Sequence, residues 1–171
     1  MLAGGLKAAV LLNTEPEFDS AAGAAAAKAL GQAEMVVTLS PFKANMAFSD
    51  VLLPIAPFTE TSGSFVNAEG RLQSFHAVVK PLAETRPAWK VLRVLANLLE
   101  IPGVAFETSQ DVLARATAQP LAASNATRSA INLTGTTTPA PAVASIYQLD
   151  GIVRRAPSLQ LTADARQEVT P

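Results

Sequence analysis

The 171-residue sequence contains no cysteine. That excludes a disulfide scaffold, a cysteine-ligated zinc or iron–sulfur site, and a cysteine nucleophile within these residues. There is a single histidine, His76, so a Ser-His-Asp triad or a histidine-rich metal site would rest on it alone. Aromatics make up only 5% and charged residues 16%, against 49% hydrophobic residues. This mix permits a buried core and argues against wholesale disorder. Basic and acidic residues number 13 and 14, for a net charge of -1, so there is no bulk attraction to nucleic acid or to a strongly anionic membrane. No apolar run approaches the roughly 18 residues of a membrane-spanning helix, and no membrane insertion is expected. The N-terminus lacks the basic, apolar and cleavage regions of a signal peptide. Asn125-Ala126-Thr127 and Asn132-Leu133-Thr134 match the glycosylation acceptor pattern by chance on this reading.

What is present is a first half that alternates short apolar runs with helical stretches. Residues 6–12, apolar apart from Lys7, and residues 35–39 and 51–53 read as three strands whose near-continuous apolar character suits buried parallel strands. Residues 20–30 are alanine-rich and predict a helix, with Asp19 or Ser20 as N-cap and Gly31 at its end. Residues 43–48 predict a short helix. Together these give βαβα organisation around a parallel sheet.

Beyond Pro54 the composition changes. Residues 64–66 and 72–75 read as two extended arms around the turn Asn67-Ala68-Glu69-Gly70. Residues 87–100 carry the clearest helical pattern. Lys90, Arg93, Asn97 and Glu100 make one polar face, Pro87 suits the first turn, and Pro102-Gly103 stops the helix. Residues 109–116 predict a further helix, with Thr108 and Asp111 at capping-box spacing. This α/β portion, 1–116, is followed by an Ala/Thr/Pro-rich linker at 117–145 and a docking tail at 146–171.

Few residues advertise chemistry. Glu60 and Glu69 are of the type used as an acid/base pair, but capping and turn duty explains them more simply. His76 is read as a surface or packing residue. No G-x-S-x-G, G-x-G-x-x-G or G-x-x-x-x-G-K-[ST] pattern occurs. Arg154-Arg155 either grips an anionic partner or flanks a docked segment as two solvated charges. No catalytic, cofactor-binding or metal-binding residue is assigned.

One long pattern does stand out. Phe48-Ser49-Asp50-Val51-Leu52-Leu53-Pro54 is followed by Phe58-Thr59-Glu60 and Gly63, Asn67, Glu69, Gly70 and Arg71 in the arrangement E-x-x-G-x-x-x-N-x-E-G-R. This resembles the molybdopterin oxidoreductase superfamily, and the helix opened by Pro87-Ala88-Trp89-Lys90 is similar to that superfamily's next element. Leu11-Leu12-Asn13-Thr14-Glu15-Pro16-Glu17-Phe18-Asp19 and the tail from Ile146 to Asp164 look like the large peripheral-arm subunit of NADH-quinone oxidoreductase, bacterial complex I.

The resemblance implies a partial parallel-sheet α/β domain of the molybdopterin oxidoreductase type, followed by helices and an irregular C-terminal tail. It implies a C-terminal portion of a longer subunit, with iron–sulfur clusters in an N-terminal part absent from this chain and no cofactor bound by this chain. It also implies other peripheral-arm subunits of complex I as partners, and a peripheral position on the cytoplasmic side of the bacterial inner membrane. The alternative is a fragment of a formate-dehydrogenase-like molybdopterin enzyme. Glu60, Gly63, Asn67, Glu69, Gly70 and Arg71 then form a structural motif. In it Gly63 and Gly70 allow tight turns, and Glu60 or Glu69 pairs with Arg71.

Overall fold

A computed structural model describes residues 7–118 and 145–166. The linker expected at 117–145 falls almost wholly outside the described residues. Three parallel strands form the centre: β1 (Ala8–Leu12), β2 (Met35–Ser40) and β3 (Val51–Pro54), in the order β1-β2-β3. Val10 lies opposite Val37, and Leu39 opposite Leu53. The core is centred on β2, where Val36, Thr38 and Leu39 are fully buried. A buried threonine needs a partner, and the Thr38 hydroxyl shares a 2.7 Å hydrogen bond with that of Ser49.

The β1–β2 crossover departs from the single helix expected at 20–30. It contains a short α1 (Pro16–Asp19) and then α2 (Ala24–Leu30). The expected helix thus starts late, after Gly23, which has φ 50° and ψ -129°, a conformation that a side chain disfavours. Neither expected N-cap caps α2, whose N-cap is Gly23 with no side-chain cap hydrogen bond; Gly31 does close its C-terminal end. The Asp19 carboxylate accepts from the Glu15 amide at 2.6 Å, and the Ser20 hydroxyl accepts from the Ala22 amide at 3.1 Å. The β2–β3 connection contains no helix at 43–48. Asn45 adopts φ 61° there, and its carbonyl accepts from the Phe48 and Ser49 amides in a turn.

Among the described residues the sheet is covered more completely on one face than on the other. Ala9 and Leu11 look toward α2 across a space also lined by Ala26, Ala29 and Leu30. On the other face Val10 and Met35 are 57% and 47% exposed. The continuous apolar character of the strands predicts cover on both faces; on this second face the described residues supply it at Leu39, which is fully buried, and leave Val10 and Met35 open.

An antiparallel pair follows, β4 (Gly63–Val66) with β5 (Leu72–Phe75), then α3 (Ala88–Leu98) and α4 (Ser109–Thr117). The capping box predicted for α4 is present. The Thr108 hydroxyl accepts from the Asp111 amide and the Asp111 carboxylate accepts from the Thr108 amide. The tail is a chain of short helical turns: α5 (Ile146–Leu149), a 3-10 turn (Val153–Arg155), α6 (Pro157–Gln160) and α7 (Ala163–Arg166). Among the described residues no helix is long and apolar enough to cross a membrane.

Candidate functional site

Parallel sheets offer ligands a crevice at the carboxyl ends of their strands. Here a crevice of about 720 Å3 opens at that end, with Leu12, Ser40, Ile55 and Phe65 among its lining. Its floor is the turn after β1. Asn13, at φ 51°, donates its amide to the Leu39 carbonyl at 2.8 Å. The Asn45 side chain donates to the Thr14 carbonyl at 2.9 Å. These bonds fix the stretch that presents Glu15.

Glu15 is the electrostatic centre of the crevice. Arg154 and Arg155 both reach its Oε1, at 3.0 and 2.8 Å. The side chains of Arg154 and Glu15 are only 13% and 15% exposed. Each guanidinium also lies over an aromatic ring: Arg154 is 4.0 Å from the Phe18 centroid and Arg155 is 4.1 Å from that of Phe42. Burial pushes the Glu15 pKa up, but the hydrogen bonds and charges of Arg155 and Arg154 outweigh it and hold the carboxyl below the usual range. The arginine pair is thus neither a pair of solvated charges nor, in this structure, turned outward to a partner. It closes on this chain's own acid. Glu15, Phe18 and Phe42 escaped sequence reasoning as site residues because a contact spanning about 140 positions leaves no local signature.

The E-x-x-G-x-x-x-N-x-E-G-R residues are brought onto and beside the β4–β5 hairpin, but the ion pair expected with Arg71 does not form. Arg71 is exposed, and no acid pairs with it among the described residues. The Glu60 carboxylate instead accepts from the Leu82 amide at 2.9 Å, tying down the segment after β5. Glu69 sits at the exposed hairpin tip. Glu60 and Glu69 thus serve different segments.

Asn67 organises the turn: its Oδ1 accepts from the amides of Glu69 at 3.0 Å and Arg71 at 2.9 Å. Gly70 has φ 79°, as a turn glycine should. Gly63 has a different role from the one expected. A Cβ there would lie 2.9 Å from the Phe75 ring, which covers the glycine and stacks on Phe65 at a centroid distance of 5.0 Å. His76 is exposed and lines a separate hollow of about 240 Å3 with Ser62, Ser74 and Trp89.

Comparison with known proteins agrees with this architecture. The chain is 44% identical over 52 residues to a putative formate dehydrogenase of Staphylococcus aureus, covering 30% of this chain and 5% of that protein. It is 38% identical over 69 residues to the probable oxidoreductase YjgC of Bacillus subtilis, covering 40% and 7% respectively. It is 43% identical over 53 residues to the mitochondrial NADH-ubiquinone oxidoreductase 78 kDa subunit of Candida albicans, covering 31% and 7%. The matches thus span 5–7% of the length of these relatives. The profile of the family described as Molybdopterin oxidoreductase matches residues 1–98. With more than half of its length matched by that family and a parallel α/β sheet in place, the chain belongs to the molybdopterin oxidoreductase family.

Proposed function

We propose that this chain is the C-terminal part of the large peripheral-arm subunit of respiratory NADH:quinone oxidoreductase, where it serves as a structural part of the electron-input module. The reading is supported by the 43% identity over 53 residues to the mitochondrial 78 kDa subunit, taken with the tail from Ile146 to Asp164 that resembles the same subunit. On this reading the iron–sulfur clusters belong to the N-terminal part of the parent subunit. The partners are other peripheral-arm subunits, and the assembly sits against the cytoplasmic face of the inner membrane.

The family also raises the question of a molybdopterin group. The residues lining the strand-end crevice do not fit it. A phosphate-bearing pterin wants free cations or unpaired amides. Glu15, Asp19 and Asp150 set carboxylates in the crevice, and Arg154 is already engaged by Glu15.

The second reading, part of a formate-dehydrogenase-like enzyme, is favoured by the 44% identity to the staphylococcal protein. One experiment separates the two. Detergent-solubilised source membranes are run on a native gel, stained for NADH oxidation, and probed in a denaturing second dimension with an antibody to residues 146–160. Signal from a long polypeptide in a large NADH-oxidising band is the expected result. Signal confined to a protein that releases a pterin on denaturation supports the second reading. A free species near 17.8 kDa would withdraw both.

A further inference from the structure

Residues 145–166 hold themselves together. Asp150 Oδ1 accepts from the amides of Ile152 and Val153, both at 2.9 Å. The Gln160 side chain donates to the carbonyls of Tyr147 and Val153 at 3.0 and 2.9 Å. Arg154 also donates back to the Gln148 and Leu149 carbonyls, and Arg155 to that of Gly151. The segment therefore meets the sheet as a formed piece. α5 lies against α1, and the two guanidinium groups reach past it to Glu15.

The receiving surface is equally specific. Glu15 precedes α1, Phe18 lies within it, and Phe42 follows β2. One carboxylate between two rings matches two neighbouring guanidinium groups, each able to stack and to donate in the same plane. Lysine would supply the charge but not the flat face.

We propose that Glu15, Phe18 and Phe42 form a binding site for a paired-arginine peptide at the carboxyl end of the sheet, and that residues 145–166 of the same chain are its resident ligand. The segment acts as a strap. It occupies the mouth of the crevice in which a parallel α/β sheet ordinarily seats a ligand. These contacts lie within one chain, whichever parent protein carries it.

Limited trypsin digestion of the intact protein tests the strap, because its anchors are themselves cleavage sites. Cleavage after Arg155 is compared with cleavage after Arg71, which lies in the exposed hairpin turn. Peptides are followed by mass spectrometry. Opening governs cutting at a protected site, so loosening the strap raises the Arg155-to-Arg71 rate ratio. Glu15→Gln and Arg154→Gln are each expected to raise it by about fivefold. Arg154 also donates to the strap's own Gln148 and Leu149 carbonyls, so Phe42→Ala, which removes only the ring under Arg155, isolates docking and is expected to raise the ratio as well; an unchanged ratio there likewise overturns the proposal. An unchanged ratio in Arg154→Gln overturns the proposal. Protection that disappears on dilution would assign the ligand to a second copy, and overturns its residence in the same chain.

Discussion

Asn67 satisfies two amides with one side-chain oxygen, whereas Arg71 ends in solvent four residues later. The two members of one motif should therefore respond differently to truncation. Asn67→Ala is expected to cost about 1 kcal/mol, the usual worth of turn hydrogen bonds that water replaces in part. Arg71→Ala should stay within about 0.5 kcal/mol of the parent, as exposed substitutions do. Urea midpoints of the two variants check both, and a large loss for Arg71→Ala would restore an ion pair at this position. Gly63→Ala should cost about 1–3 kcal/mol, because the new methyl displaces the Phe75 ring from its stack on Phe65. A shift in the Phe65 and Phe75 ring resonances would accompany it.

Elements end where a side chain or a strained dihedral ends them. α4 begins at a reciprocal cap, and Thr108→Ala should cost about 1 kcal/mol and speed exchange of the Asp111 amide. The Asp111 carboxyl is held below its usual range by the Thr108 and Glu107 amides and the Thr108 hydroxyl. The charged form is thus the bound form, and the cap is complete at neutral pH and lost as pH falls through that lowered value. α3 follows its sequence pattern only in part. It ends at Leu98 with Leu99 as C-cap, because Glu100 turns to φ 56° before Pro102. Its apolar side is incompletely covered among the described residues, with Val94 51% and Leu98 77% exposed.

At the scale of the molecule, the two ends of the described chain meet at one charge. The groups facing Glu15 are Arg154 and Arg155 from the tail, Asp19 from α1, and Asp150 across the crevice. Burial raises its pKa and the two arginines lower it further than burial raises it, so the folded value lies below the unfolded one. A lowered carboxylate contributes stability above its unfolded pKa and loses it as pH falls through the folded one. Glu15→Gln should therefore melt about 2–4 °C below the parent at pH 7, the shift that about 1 kcal/mol gives in a chain of this size. The gap should close in acid, once the parent's Glu15 is itself protonated. A gap that persists at low pH would mean the glutamate acts through packing alone.

Local pieces of this protein follow from its amino-acid order alone. Three apolar runs became the three parallel strands, the Asn67–Gly70 turn and the α4 capping box formed as their spacing predicts, and a specific motif identified the family. These features depend on neighbours a few residues apart, where propensity and spacing speak directly. Tertiary packing set the rest. Gly23 delayed the start of one expected helix to Ala24, and a turn at Asn45 replaced another, because the crossovers must return to a sheet of fixed register. The partners of Glu60 and Arg71 were set by which segments lie beside the hairpin, and the partner of Arg154 by which strand ends meet the tail. A charge in a sequence carries its sign but not its neighbour. Only the fold places Glu15 between two arginines and two rings, and so turns an acid and a basic pair about 140 residues apart into one closed contact.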